Sequence, residues 1–565
     1  MRRTTFASLT LFIATAAAGT EVQAPRVALS HVDWNAAAAS TSDYKGGSVE
    51  TIFTALNVLT GRRFAGIGMS TVPVLLPIDI DKFRDDVSGS RDAIMPDTYF
   101  GSFYPSKFFL AGPAGYTATF FIKPADEGFD FKYTKKPIEV EITGAAFTYD
   151  LDPPDHQEVF TPKNLQEQYP AIRRILRDAH VRYAFERFGV PYVVSIQCYD
   201  RPPSRRYLSC READPIAERF LRLLHVAGGT PSEIQQPRFD LSRPEAISNS
   251  FTYYEPGNLI PNTGWNKLPG RNDRHVYTRI RFPLANAPAY VKSQSFMPWG
   301  DCYRGAHTGY MGKKGSIYRC NVNGIPLVFD ESAAANFSYP WRDNFCEVRE
   351  FIVGQCPAGH GHQGEDIRPS NCVLSEENSD RCLPYQHRVA AVRDGMVWRR
   401  AGNLGLWIVV NTPNDLVRFR YLHMNPKMLD QDGMVSGRKV REGEIIGAVG
   451  TWGDYPRGTS YHIHFNIQVF TKSGWAWVSP YMTLVLAYER LIGARGVELK
   501  AGDPPPPIPD KPPVILPSAA VTMESSASGS SREKAAHMHK TAKRKRHHHV
   551  SRRHHVDHRR RHHRD

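Results

Sequence analysis

The chain has 565 residues, too many for one ordinary domain, and its 41% hydrophobic against 23% charged content excludes a wholly disordered polymer. The formal net charge of +14 is uneven: residues 531–565 hold 13 Lys and Arg against 3 Asp and Glu, so this end alone supplies +10. Only about +4 is left for everything else, which excludes a broadly polycationic nucleic-acid surface.

The chain starts with the basic run Met1-Arg-Arg-Thr-Thr, continues through a short apolar stretch from Phe6 to Ala18, and offers small residues at Ala16-Ala-Ala18. This order predicts a secretory signal peptide over 1–18. The stretch is too short for a comfortable membrane span, and no later segment is long and apolar enough to be one. An exported protein, periplasmic or secreted and without a transmembrane anchor, is therefore expected.

Residues 19–43 read as a linker and 44–340 as an α+β region without a catalytic signature. Ala118–Lys123 and Ile138–Ile142 carry strand-like runs. A helix is predicted from Pro170 to about Gly189, with Ile172, Ile175, Leu176, Ala179 and Tyr183 on one face, followed by a strand over Tyr192–Gln197.

Residues 341–495 are different in character. Leu406–Asn411 and Ile463–Val469 alternate between glycine-containing turns, which predicts a mainly antiparallel β fold, and a helix is expected over Tyr481–Leu491. Five polar residues stand out in this stretch: His362 and Asp366 around Gly364, then His423, then His462 and His464. Period-two alternation puts His462 and His464 on one strand face, while Gly364 and the preceding Gly-His-Gly favour a bent loop for the first pair. Hydrolytic zinc is commonly held by three protein N/O ligands with one position open to water, whose pKa falls to about 7, and this set supplies three ligands with two imidazoles to spare.

These residues resemble the lysostaphin-type zinc endopeptidases, the LytM family, which cut peptide cross-links in bacterial cell walls. His362, Gly364 and Asp366 match the family's first motif, Tyr421 and His423 its middle motif, and His462, His464 and Phe465 its last. Val392–Trp398 and Val440–Gly450 look like its two glycine-punctuated hairpins. The resemblance implies one Zn²⁺ held by His362, Asp366 and His464, with His423 and His462 as the catalytic pair that handles the water proton and the oxyanion. The implied architecture is multidomain: an α+β N-terminal region, a mainly antiparallel β LytM-like peptidase domain at 341–495, and a disordered basic C-terminal tail.

The chain departs from the family pattern in three places. Asn466 stands where an acidic residue is expected, the loop from Thr451 to Tyr461 is bulkier than usual, and a segment with Cys372 and Cys382 follows Asp366. His387, His307, His275 and His180 read as structural or exposed residues. His360, two positions before His362, is either a decoy ligand or a group standing behind the ligands.

Eight cysteines in an exported chain favour disulfides, and nearest-neighbour bridging would join 198 to 210, 302 to 320, 346 to 356 and 372 to 382. Residues 496–530 form a Pro/Ser-rich linker, and 531–565 a tail too polar to offset its ordering entropy. The expected function is an exported zinc endopeptidase acting on peptidoglycan peptides. The alternative is a non-cutting wall-binding or regulatory protein of the same fold. In both, the tail suits anionic envelope polymers or lipid head groups, while nucleic acid is disfavoured because no stacking aromatics interleave its charges. The 44–340 region is expected to position or cover the catalytic domain, or to bind wall material.

Overall fold

The structure is a computed structural model. It describes residues 21–41, 47–86, 94–123, 137–151, 158–160, 162–199, 208–261, 263–292, 301–308, 316–322, 325–326, 337–349, 351–369, 386–402, 405–411, 413–450, 454 and 461–504. The expected signal peptide, the 531–565 tail, Cys372, Cys382 and most of the Thr451–Tyr461 loop lie outside the described residues.

The first half of the chain is organised around a seven-stranded antiparallel sheet. Its strands are β1 (Tyr104–Gly112), β2 (Gly115–Ile122), β3 (Ile138–Ala145), β4 (Glu158–Phe160), β5 (Arg173–Arg177), β6 (His180–Arg187) and β7 (Val190–Gln197), in the order β1-β2-β3-β7-β6-β5-β4. Helix α1 (Cys210–Arg222) begins with a reciprocal cap, in which Glu212 N donates to Ser209 Oγ and Ser209 N donates to Glu212 Oε2. The Cys198–Cys210 disulfide ties its first turn to the end of β7, and Phe220 packs edge-on against Phe103 and Phe120.

The helix expected from Pro170 to Gly189 is instead the β5–β6 hairpin and the turn into β7. Asp178 (φ 50°) and Ala179 (φ 56°) adopt left-handed backbone that a helix interior does not allow, so Arg177 pairs with His180 and Arg173 with Ala184. Phe188 (φ 56°) and Gly189 (φ 70°) make the next turn. The helical spacing of the apolar residues is coincidental: Val181, Tyr183 and Phe185 alternate and are all buried, and pairing across the sheet overrides local periodicity.

Two stretches expected as linkers are also folded. Within 19–43, Arg26–Leu29 pairs antiparallel with Phe147–Asp150, and a short helix, Trp34–Ala39, is capped by Asp33, whose Oδ1 accepts from Ala36 N at 2.8 Å. At the far end, Arg495–Leu499 runs parallel to Ile247–Tyr254, so residues 496–499 are strand. Both strands are too short to stand out as sequence patterns.

A second antiparallel sheet carries the residues of interest. It comprises β8 (Ala289–Val291), β9 (Glu365–Pro369), β10 (Gly395–Gly402), β11 (Gly405–Asn411), β12 (Val417–Leu422), β13 (Lys439–Val440), β14 (Ile463–Thr471) and β15 (Gly474–Val478). The order is β8-β9-β14-β12-β11-β10-β13, with β15 paired to β14. The described chain is thus mainly β with few helices, and β8 comes from before residue 341. Helix α2 (Tyr481–Ile492) is buried from Tyr481 to Glu489, and its Tyr488 ring packs on Phe251, Phe282 and Trp341.

The sheets meet at the β14–β15 hairpin. Trp475 Nε1 donates to Glu141 Oε1 at 3.1 Å, Arg182 Nη1 donates to the Trp475 carbonyl at 2.7 Å, and Arg418 pairs with Glu141 at 2.7 Å. Among the expected disulfides, Cys346–Cys356 is formed as well, and the register of Asp301–Thr308 with Ser316–Val322 sets Cys302 opposite Cys320. No helix among the described residues is long and apolar enough to cross a membrane.

Candidate metal centre

Strand register does most of the work of assembling the site. In the β9–β14 pair Asp366 lies directly opposite His464, so both side chains leave the same face of the sheet, while Glu365 and Phe465 point to the other. His462, two residues before His464, joins that face. Gly364 is demanded by the close approach of the strands here: a Cβ on it would sit 2.2 Å from the Phe465 carbonyl oxygen and 2.4 Å from Asn466 Nδ2.

His362 arrives from the loop before β9. Its backbone is clamped by His362 N donating to the Glu347 carbonyl at 2.8 Å and Cys346 N donating to the His362 carbonyl at 3.1 Å, within the loop closed by Cys346–Cys356. Asn344 braces the site twice: its carbonyl oxygen lies 2.9 Å from His362 Nδ1, and its Oδ1 accepts from Asp366 N at 3.1 Å. His423 comes just after β12 with a left-handed backbone (φ 63°), held by Gly450 N donating to its carbonyl at 2.7 Å. This bend turns its ring beside His462, with centroids 4.7 Å apart.

All five sequence-predicted residues therefore come together. His464 Nδ1 is 2.9 Å from both Asp366 Oδ1 and His362 Nε2, His362 Nε2 is 3.5 Å from Asp366 Oδ1, and His462 Nε2 is 3.3 Å from the same oxygen. One ligand atom each from His362, Asp366 and His464 lies within 4.8 Å of the others, so this group can hold a metal ion. The other oxygen, Asp366 Oδ2, is buried with no hydrogen-bond partner among the described residues, which suits a carboxylate turned toward a cation.

The electrostatics favour the same use. Burial alone would raise the Asp366 carboxyl, but attraction to His362 and His462 outweighs it and holds the group well below the usual carboxylate range. Burial lowers His362, with Asp366 pulling partly the other way. His464 is pushed down to about 3 by burial and then by His362, and His423 falls well below the ordinary range through burial and its neighbours His462 and His464. An ionised carboxylate beside neutral imidazoles is the net charge state that metal ligands need.

Four other histidines singled out from the sequence have partners elsewhere. His180 Nδ1 contacts the Asp178 carbonyl, His275 Nδ1 contacts Asp273, His387 Nδ1 contacts the Tyr461 hydroxyl, and His360 stacks on Trp265. The side chain of His307 lies outside the described residues. Tyr421 of the middle motif faces the core, where its hydroxyl accepts from Val392 N at 2.9 Å. Sequence reasoning missed Asn344, Gln363, Arg420 and Trp477. Gln363 and Arg420 sit beside recognised motif residues, but only the register, which sets Arg420 opposite Asn466, brings them together.

Residues 379–475 match peptidase family M23. That span includes His423, His462 and His464, whereas His362 and Asp366 precede it. Among solved structures, the chain is similar to a LytM from Ruminococcus gnavus ATCC 29149, at 25% identity over 25% of this chain and 50% of that one, with TM-score 0.17. It is also similar to the antimicrobial peptidase lysostaphin from Staphylococcus simulans (23% identity, 23% and 45% covered, TM-score 0.16). A third is Helicobacter pylori Csd3 (12% identity, 63% and 52% covered, TM-score 0.18). The chain spans about half the length of these three proteins. No curated protein matches the chain.

Proposed function

We propose, from the match of residues 379–475 to peptidase family M23, that the protein is an exported, zinc-dependent endopeptidase that hydrolyses peptide bonds of bacterial peptidoglycan. The observation that carries this reading is the convergence of His362 Nε2, Asp366 Oδ1 and His464 Nδ1 on one point, with two further imidazoles alongside. In this reading these three residues hold one Zn²⁺, which when bound supplies Lewis acidity toward the scissile carbonyl and makes a water nucleophilic at neutral pH.

The chain's own residues then do the rest. Asp366 brings the compensating negative charge, His362 brings a bare Nε2, and His464 brings a second neutral imidazole. His423 and His462 lie next to the ligands without being needed as ligands, so one accepts the proton of the attacking water while the other donates to the oxygen that gains charge. The apolar surroundings that keep His423 neutral also strengthen any hydrogen bond it makes to that oxygen.

The test is hydrolysis of purified peptidoglycan together with measurement of bound zinc, in the wild type and in His464→Ala. Release of new peptide amino groups by the wild type, lost along with zinc in the variant, supports the proposal. Stoichiometric zinc without turnover on any wall preparation defeats it. Cleavage near residue 18, read from the mass of the mature protein, tests export. Loss of binding to anionic wall polymers or vesicles on ending the chain at residue 504 tests a tethering role for the tail.

A further inference from the structure

The two ligand histidines are backed by opposite kinds of partner. His362 Nδ1 lies 2.9 Å from the Asn344 carbonyl oxygen, which can only accept, so this ring keeps its proton on Nδ1 and presents a bare Nε2 to the group. His464 presents Nδ1 to the group, and its Nε2 lies 2.8 Å from Nδ2 of Asn466.

The orientation of that amide is fixed by its far side. Asn466 Oδ1 accepts from Arg420 Nε at 2.6 Å, and a guanidinium has nothing but donors, so the oxygen must face Arg420 and the NH2 group must face the imidazole. Arg420 is itself held, with Nη2 donating to Gln363 Oε1 at 2.7 Å and its guanidinium 4.2 Å above the Trp477 ring. Gln363, Arg420, Asn466 and Trp477 are all buried.

His464 Nε2 therefore accepts from Asn466, and the proton of this ring sits on Nδ1, aimed at Asp366 Oδ1 and His362 Nε2. The His362 side leads independently to the same assignment. With its own proton on Nδ1, His362 Nε2 can only accept, so the proton in the 2.9 Å contact between the rings belongs to His464.

Metal binding at Nδ1 of His464 needs that nitrogen bare. The proton must leave Nδ1 and one must be carried on Nε2, where it meets the Asn466 NH2 group, donor against donor. Turning the amide over would relieve this clash but would set its NH2 against Arg420 Nε–H. We propose that Arg420, acting through Asn466, is a positioning residue that holds His464 in the tautomer unsuited to metal and so loosens the site's grip on zinc, giving a centre that exchanges its ion. The inference rests on the reading of His362, Asp366 and His464 as zinc ligands.

The experiment is chelator competition for Zn²⁺ on the full chain. In Asn466→Asp, a carboxylate accepts from Arg420 and from His464 Nε2–H at once, and Kd for Zn²⁺ should fall about 10- to 100-fold. In Arg420→Met, the amide is free to turn, and Kd should fall as well. ¹⁵N spectra of the His464 ring in chelator-treated wild type should report a proton on Nδ1, and on Nε2 once Zn²⁺ is added. A merely structural role for these residues moves both variants the other way, toward weaker binding. Folded variants that bind Zn²⁺ no tighter than wild type, or a chelator-treated wild type with the proton on Nε2, overturn the inference and leave the zinc reading standing. Zinc bound equally well by wild type and His464→Ala overturns the zinc reading itself. If Asn466→Asp fails to fold, Arg420→Met and the wild-type spectra decide.

Discussion

In the proposed reading, removal of His423 or His462 separates chemistry from metal binding. Neither is among the three ligand atoms, so alanine at either position should lower kcat by about 10²–10³ with zinc content unchanged, as measured by turnover alongside metal analysis. His464 offers a check on the electrostatics: with its pKa at about 3, its ring carbon protons should not shift between pH 8 and about pH 4 in NMR spectra of chelator-treated protein, where an ordinary histidine would titrate near 6.5. The sign of the linkage follows. Between about pH 3 and 6.5 the unfolded chain binds this proton and the folded one does not, so the His464 contribution to stability is intact above 6.5 and lost as pH falls toward 3. His462, His464, His362 and Asp366 were legible because a His-x-His alternation and a His-x-Gly-x-Asp bend constrain geometry locally, and His423 was legible through the Tyr421-x-His423 motif of the resemblance. Asn344, eighteen positions before His362, was not legible, because nothing in its own neighbourhood marks it as a brace for another segment.

At the level of elements, the β9–β14 pair is the part least able to give. Gly364→Ala would drive a Cβ into the Phe465 carbonyl and Asn466, pushing Asp366 away from His464. Zinc occupancy should drop, and stability should fall by about 1–3 kcal/mol in denaturant unfolding. The backbone partners of His362, Cys346 and Glu347, lie in the loop closed by the Cys346–Cys356 disulfide. Replacing Cys346 and Cys356 with Ser should cost about 2–3 kcal/mol and weaken zinc binding, because Cys346 N also clamps the His362 backbone. Strands β2, β3, β7, β11 and β14 and helix α2 were readable from alternation and periodicity. The segment 170–189 was misread because its apolar residues fit a 3.6-residue period, while its two left-handed turns involve Asp178 and Ala179, then Phe188 and Gly189: Ala179 and Phe188 carry no turn signature, and Gly189 suits a helix end as well.

Across the whole described molecule, the two sheets share a buried charge pair. Glu141→Gln removes the carboxylate that Arg418 pairs with at 2.7 Å in this buried contact, and the melting temperature should drop. The domain plan read from sequence placed boundaries where composition changes, whereas the folded chain draws β8 into the later sheet and sends residues 495–499 back to 247–254, pairings that no local composition records. That last pairing closes a loop of about 250 residues around the second sheet. Because a ribosome delivers the chain from its N-terminus, the parallel ladder beside Trp341 cannot close until nearly five hundred residues have emerged, so completion of this fold waits on one short C-terminal strand. A chain stopped at residue 494 should refold slowly and melt early, while one stopped at 504 should behave as the full protein does, a contrast that stopped-flow refolding and thermal melts would reveal.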